Sequence, residues 1–356
     1  MAQALGDDRS PQGQHRGAID GNGEWYARFH RGRLCHPGQE FELGSCTPRS
    51  PNVSNSSAVL TNAMALKDTL MAERETNGGD KVATVEKTAQ RIFGKRASFY
   101  TTSTVHADPS VLTRVVDLAA PQPQWTALDV ATGTGHTALA LAPHVASVIG
   151  IDLTPEMLSE AERLRAERDA RNVAFRLGDV HHLPFEDASF DLVTCRRAAH
   201  HFSDIALALQ EIRRVLRPGG RVVIDDRSVP EDNFLDRCVN QLDWYHDESH
   251  VREYRPSEWR RMLAACGLVV ETVETYTLHR PLSALTDGVA PENVAKIHGI
   301  LASLTDDQRM SLNFTDVDGQ PHLNPSFLLF NITNPLERLD SCPAYRPKCS
   351  HVILIL

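Results

Sequence analysis

The stretch "TALDVATGTGHTALALA" constrains this chain more than any other. A short apolar run, Thr126 to Val130, meets a loop with glycines at 133 and 135, and an Ala/Leu-rich helical pattern follows from His136. Passing from buried strand through bare loop into helix is the opening unit of a parallel α/β sheet, since antiparallel strands return through hairpins instead. The alternation then continues. "SVIGID" (147–152) reads as a second strand, "VAFRLGD" (173–179) as a third and "FDLVTC" (190–195) as a fourth. "RVVIDD" (221–226) reads as a fifth, with "LVVETVETYTL" (268–278) and "SFLLFNI" (326–332) as later strands. Helices fit between them. One spans 108–119 with Asp108 as N-cap and Pro109 at the first helical position. Another covers "HTALALAPHV", and a third opens at Thr154-Pro155 with Met157, Leu158, Ala161 and Leu164 on one face. A fourth is capped by Ser203-Asp204, buries Ile205, Leu209, Ile212 and Leu216, and stops at "RPGG" (217–220). A fifth runs from Pro256 to Gly267. The pattern is an α/β sheet with helices on both faces.

The ends differ. Residues 1–82 are rich in Gly, Pro, Ser, Asn and charge without sustained apolar periodicity, and are expected to be a disordered extension. Residues 334–356 read as an irregular tail, leaving 83–333 as the domain. Within it, 229–259 is a long excursion expected to form a helical lid, with Phe234, Leu235, Val239 and Leu242 buried against the sheet edge. Composition narrows the function. With 46 acidic against 37 basic residues, the net charge of -9 argues against nucleic acid as a partner. Seven cysteines without a CxxC pair fit a reduced, cytoplasmic protein rather than a disulfide scaffold. No run approaches the length of a membrane span, so stable membrane insertion is not expected.

Ligands of such sheets bind at the carboxyl ends of the strands. Asp129, Asp152 and Asp179 all fall at or beside those ends. Asp152 lies 19 residues beyond Gly133, the separation of a carboxylate that accepts ribose hydroxyls. That holds for nicotinamide enzymes and for users of S-adenosylmethionine alike. Asp129 discriminates: a pyrophosphate gains nothing from an acid before the loop, whereas a sulfonium and an ammonium do. Asp179 suits the exocyclic amine of adenine, with the Val180 amide beside it.

With "LDVATGTGHTA", "VIGIDLTPEML", "LGDVHHLPFEDASFDLVTCRRAAHHF" and "EIRRVLRPGGRVVIDD" in order, the chain resembles class I S-adenosylmethionine-dependent methyltransferases. It is most similar to the small-molecule branch that contains the ubiquinone/menaquinone biosynthesis C-methyltransferases. The resemblance implies a Rossmann-like, seven-stranded, mostly parallel sheet of order 3-2-1-4-5-7-6, and S-adenosyl-L-methionine as cofactor. It implies that Asp129, Ala131, Gly133 and Gly135 line the methionine part, joined by Thr132 and Thr134 of the same loop. Asp152 would hold the ribose, Leu153 and Met157 would flank the adenine, and Gly178, Asp179 and Val180 would bind its polar edge. Arg196 would pass its backbone under the methionyl group.

Methyl transfer needs alignment and, for a hydroxyl or acidic carbon, a base. His200 and His201 follow the fourth strand and are the candidates, against the alternative that they pack beneath the next helix. Tyr100, His246, His250 and Tyr254 are substrate candidates, with Trp244 and Tyr245 beside them on the lid. His246, Asp247 and His250 have metal-ligand spacing, but a salt-bridged helix end explains them better, and no metal is expected. The acceptor expected is a small molecule such as a phenol or a quinone-like metabolite, and a homodimer is compatible with the sequence. The competing readings are an NAD(P)-dependent oxidoreductase, which lacks a Tyr-x-x-x-Lys pair here, and a catalytically silent cofactor-binding protein.

Overall fold

A computed structural model describes the backbone of 28–31 and residues 78–103 and 105–336, with side chains from 85 onward. The remainder of the expected extension and the tail beyond Leu336 lie outside the described residues. Eight strands form one sheet in the order β1-β7-β10-β6-β5-β2-β3-β4. They are β1 (Arg28–Arg31), β2 (Thr126–Val130), β3 (Ser147–Asp152), β4 (Val173–Leu177), β5 (Phe190–Arg196), β6 (Leu216–Ser228), β7 (Val269–Thr277) and β10 (Ser326–Thr333). Strands β2 to β6 pair in parallel, and β10 inserts antiparallel between β6 and β7. Setting aside β1, which adds an antiparallel edge beside β7, this is the expected order 3-2-1-4-5-7-6. Strand β1 falls inside the segment for which the sequence suggested no element.

Alternation along the strands explains the two-sided core. Leu128 and Val130 of β2 face one side with Leu209 and Ile212 of α5 (Ile205–Val215) and Trp259 and Leu263 of α7 (Pro256–Ala265). Ala127 of β2 and Val148 of β3 face the other side. They meet Val111 and Val115 of α2 (Pro109–Ala119), Leu141 of α3 (His136–Leu141) and Leu164 of α4 (Pro155–Glu167). Asp108 caps α2 by accepting from the Ser110 amide, and Asp204 caps α5 through the Leu207 amide. Two expectations shift. The stretch "HTALALAPHV" is α-helical only to Leu141, and 142–144 tighten into a 3-10 turn at Pro143. Leu216 is not on the α5 face, because its backbone is already extended (ψ 130°) and begins β6, so "RPGG" lies within that strand's irregular start.

Two regions were not foreseen. Helix α1 (Gly78–Thr102) crosses the carboxyl edge of the sheet and packs on α4. Between β7 and β10 the chain adds α8 (Pro291–Ser303), α9 (Asp306–Ser311) and a hairpin of β8 (Phe314–Val317) and β9 (Gln320–Leu323). This insertion meets α6 (Asn233–His246), the helix of the expected lid. The face that α6 buries is Leu235, Cys238, Leu242 and Tyr245, packed with Ile297 and Leu301 of α8. It therefore faces the insertion rather than the sheet edge, which leaves Phe234 37% and Trp244 43% exposed. Among the described residues, no helix is long and apolar enough to cross a membrane.

Candidate active site

The carboxyl edge opens into a cavity of about 630 Å³, a volume typical of small-molecule sites. Its floor is the first loop. Ala131, Gly133 and Gly135 all adopt left-handed backbone, with φ of 51°, 55° and 83°. This alternation turns the loop sharply into α3, and a hydrogen bond from the Thr132 amide to the Ile151 carbonyl (2.8 Å) ties it to β3. The loop also has two carboxylate anchors. Asp129, almost wholly buried, accepts from the Thr132 hydroxyl (2.5 Å) and the Thr194 hydroxyl (2.6 Å). Asp152 accepts from the Gly133 amide (2.8 Å) and the Thr154 amide (2.9 Å). Burial pushes both carboxyls above their ordinary range, and these donors hold them back.

Beyond β4, Asp179 accepts from the backbone amide (2.9 Å) and Nδ1 (2.7 Å) of His181. That pairing lowers the Asp179 pKa and raises that of His181 against its burial. His181 Nε2 accepts from the Asp204 amide (3.3 Å), which assigns the proton to Nδ1. Glu86 of α1 stands 3.7 Å from the same nitrogen. Glu86, Asp179 and His181 are the one such group among the described residues with ligand atoms within 4.8 Å of one another. Asp179 is there as the hydrogen-bond acceptor of His181, and Glu86 as that of the Ser203 hydroxyl (3.0 Å).

Past β5 the chain kinks at Arg197, whose φ is 54°. Arg196 Nε donates to the Thr137 hydroxyl (2.9 Å) and Nη2 to the His106 carbonyl (2.6 Å), while Nη1 is buried without a partner. Burial lowers the Arg196 pKa to about 10. The next residues form a histidine pair. His200 donates from Nδ1 to Asp226 (2.5 Å), and its own amide reaches the other Asp226 oxygen (3.0 Å). His201 donates from Nδ1 to the Ser249 carbonyl (3.0 Å) and meets the edge of Phe93. Burial and the neighbouring His200 push the His201 pKa down to about 3, so that ring stays neutral.

Of the residues singled out in the sequence, Asp129, Ala131, Thr132, Gly133, Thr134, Asp152, Leu153, Met157, Gly178, Asp179, Val180 and Arg196 line this one cavity. His200, His201, Tyr100, His246 and His250 line it too. Gly135 does not: a Cβ there would stand 2.5 Å from the Phe175 ring, so its bareness serves helix packing. Tyr254 packs on Trp259 outside the cavity. Helix α6 ends at His246, so His246 and His250 do not share a helical turn. His246 Nδ1 donates to the Leu285 carbonyl (3.1 Å) and His250 Nε2 to Asn240 (3.0 Å). Sequence reasoning missed Glu86, Gln90, Phe93 and Arg96 of α1, and also Asp226, Arg227, Asp243 and Arg280. Only Asp226 carried a readable signal, as an acid near the end of the "RVVIDD" strand.

Residues 128–224 match the family described as a methyltransferase domain. Over 191 residues the chain is 41% identical to an uncharacterized methyltransferase, YcgJ, of Bacillus subtilis, covering 54% of this chain and 76% of that one. The crystal structure of YcgJ superposes with a TM-score of 0.60 at 36% identity, over 63% of this chain and 97% of that one. A demethylmenaquinone methyltransferase of Thermus thermophilus is 44% identical over 113 residues, 31% of this chain and 51% of its own length. These likenesses favour methyl transfer over the hydride-transfer alternative. Because the similarity to a methyltransferase spans three quarters of that relative and carries the same fold, the chain belongs to the class I S-adenosylmethionine-dependent methyltransferases.

Proposed function

We propose that this enzyme methylates a hydroxyl of a small, phenol-like acceptor, with His200 as the general base and Asp226 as the residue that positions it. The observation that carries the reading is the His200–Asp226 pair. Nδ1 is committed to the carboxylate at 2.5 Å, so Nε2 bears the lone pair and has no partner among the described residues in a ring that lines the cavity.

The cavity floor fits the methyl donor. Nothing lies within 4 Å of where a Cβ of Gly133 would stand, so the loop leaves space for a ligand against its backbone. The unpartnered Nη1 of Arg196 calls for an anion, which the carboxylate of an amino-acid moiety supplies. Asp152 uses one lone pair on each oxygen for the loop and keeps others for hydroxyl donors. Met157 is buried and apolar beside Leu153, as an adenine face requires.

When bound, S-adenosylmethionine supplies an electrophilic methyl on a sulfonium. In this proposal His200 Nε2 would take the hydroxyl proton as the acceptor oxygen displaces the thioether of S-adenosylhomocysteine from the methyl carbon, and Asp226 would stabilise the resulting imidazolium. Burial raises the Asp226 pKa, but His200 more than offsets it, so the carboxylate remains charged for that role. Phe93, Tyr100 and Phe327 wall the acceptor space and exclude water. The test is release of S-adenosylhomocysteine with a panel of phenols. His200→Asn is expected to lower kcat by about 10²–10⁴-fold, the usual worth of a general base, with unchanged S-adenosylhomocysteine affinity. Full activity in that variant would remove His200 from the chemistry. Cofactor binding without turnover of any phenol would favour a silent binding protein or another acceptor class.

A further inference from the structure

Arg280 follows β7, and Arg227 sits near the end of β6. Both line the cavity with Asp243 of α6. Strand β6 lies two strand spacings from β2, about 10 Å, and β7 is two further on. The acids proposed for the cofactor stand on β2, β3 and after β4, so this arginine pair belongs to the opposite, acceptor end.

The hydrogen bonds at that end do not close. Arg227 Nη1 donates to Asp243 (2.9 Å) and to Glu253 (3.1 Å). Arg280 Nη1 reaches the same Asp243 oxygen (3.3 Å). Arg280 Nε is fully buried and has no acceptor, and none is recorded for Nη2 among the described residues. Nε and Nη2 form the side-on edge of a guanidinium, the edge that takes a planar carboxylate through two parallel hydrogen bonds. A buried N–H without an acceptor is costly, so a site that keeps one is built for something that fills it. Charge agrees. Glu253 is 1% exposed behind the cavity wall, and burial and Asp243 drive its pKa well above the ordinary value. Two guanidiniums converge on one oxygen of Asp243, whose carboxyl they hold well below its ordinary range against burial.

We infer that Arg280 binds a carboxylate of the acceptor side-on, so that the substrate is a hydroxylated carboxylic acid held with its acid at the β6–β7 end and its hydroxyl toward His200. This rests on the methyltransferase reading above and narrows its acceptor class. Inorganic or ester phosphate shares the charge but not the planar two-point match.

The test uses wild-type protein saturated with S-adenosylhomocysteine. It is titrated calorimetrically with acetate, benzoate, 4-hydroxybenzoate and phenylpyruvate, each beside its neutral amide, and with inorganic phosphate. At least one acid is expected to bind about tenfold or more tightly than its amide, the worth of one charge-assisted hydrogen bond. Arg280→Gln is expected to abolish that preference at unchanged S-adenosylhomocysteine affinity, which also reports that the variant is folded. Arg280→Lys keeps the charge beside Asp243 but loses the side-on edge, and is expected to lose most of the preference. Equal binding of acids and amides, no binding of any acid, tighter binding of phosphate, or a preference that survives Arg280→Gln would each overturn the inference. Failure of wild-type protein to bind S-adenosylhomocysteine at all would instead strike the cofactor assignment.

Discussion

At the scale of single residues, the site is governed by which lone pairs and protons are already spent. Asp226 illustrates this, since both its oxygens serve His200, one through the ring and one through the amide. Asp226→Asn removes the charge that favours the imidazolium while nearly keeping the shape. The expected result is a fall in kcat with little change in KM or in S-adenosylhomocysteine affinity, and partial recovery in Asp226→Glu. A parallel fall in cofactor affinity would mark a merely structural residue. Asp152 is spent differently, bridging the first loop to the turn after β3. Asp152→Asn replaces charge-assisted hydrogen bonds, worth about 1.5–3 kcal/mol, with neutral ones or a misplaced donor. S-adenosylhomocysteine is expected to bind about 10- to 100-fold more weakly by calorimetry. Affinity within threefold of wild type, about 0.6 kcal/mol, would mean that the loop needs no charge at 152.

At the scale of elements, the junction of β2 and α3 is the tightest point of the fold. Gly135 caps α3 with φ 83° and lies against Phe175 of β4. Gly135→Ala adds overpacking of about 1–3 kcal/mol to a left-handed backbone cost of about 1–2 kcal/mol. A clear drop in thermal midpoint is the expected outcome, and an unshifted midpoint would show that β4 yields. Helix α1 is the opposite case. Of its described side chains only Ile92, Ala97 and Thr101 are buried, and it is held by polar ties. Gln90 donates to the Leu153 carbonyl (2.8 Å), Ser203 to Glu86 (3.0 Å) and Thr101 to Glu160 (3.0 Å). An element with so little apolar burial is expected to open locally, and its position at the cavity edge predicts that it gates cofactor entry. Hydrogen exchange across 85–102 is expected to slow on addition of S-adenosylhomocysteine, and unchanged exchange there would place entry elsewhere. The same contrast explains what the sequence disclosed. The strands and helices around the first loop are read easily because apolar period, caps and glycines agree locally, down to Asp108 and Asp204. Helix α1 is silent because its stability comes from distant polar partners. The insertion carried unread signals, the Thr305/Gln308 capping box of α9 and the Asp318-Gly319 turn between β8 and β9. Arg227 and Arg280 could not be paired from sequence, because β10 enters between their strands only after both have been laid down.

At the scale of the whole molecule, the cavity gathers an unusual load of neutral imidazole, and this sets the pH response. Burial depresses the pKa of His106 well below its ordinary value, that of His136 to about 4, His201 to about 3 and His250 to about 4. In the unfolded chain each of these rings takes a proton near pH ~6.5, whereas in the folded chain it does not. Between those limits the unfolded state binds more protons, so stability present above about pH 6.5 is lost as the pH falls toward the folded values. His181, Glu253 and the buried carboxyls of Asp129, Asp152 and Asp225 act in the other sense, because they hold their protons more firmly when folded. The four rings and that of His246, which burial also depresses, have their unfolded value inside this interval, whereas unfolded carboxyls titrate near pH ~4, so the net change is a loss. The thermal midpoint is therefore expected to fall steadily from pH 7 to pH 5, before the depressed carboxylates of Asp226, Asp243 and Asp247 begin to protonate and steepen the decline. A flat or rising midpoint over that interval would mean that the rings accept protons in place, and the cavity would then be more open to water than its packing indicates. Bound S-adenosylhomocysteine should raise the whole curve by mass action without removing its slope, since the depressed rings of His201 and His250 belong to the acceptor end of the cavity.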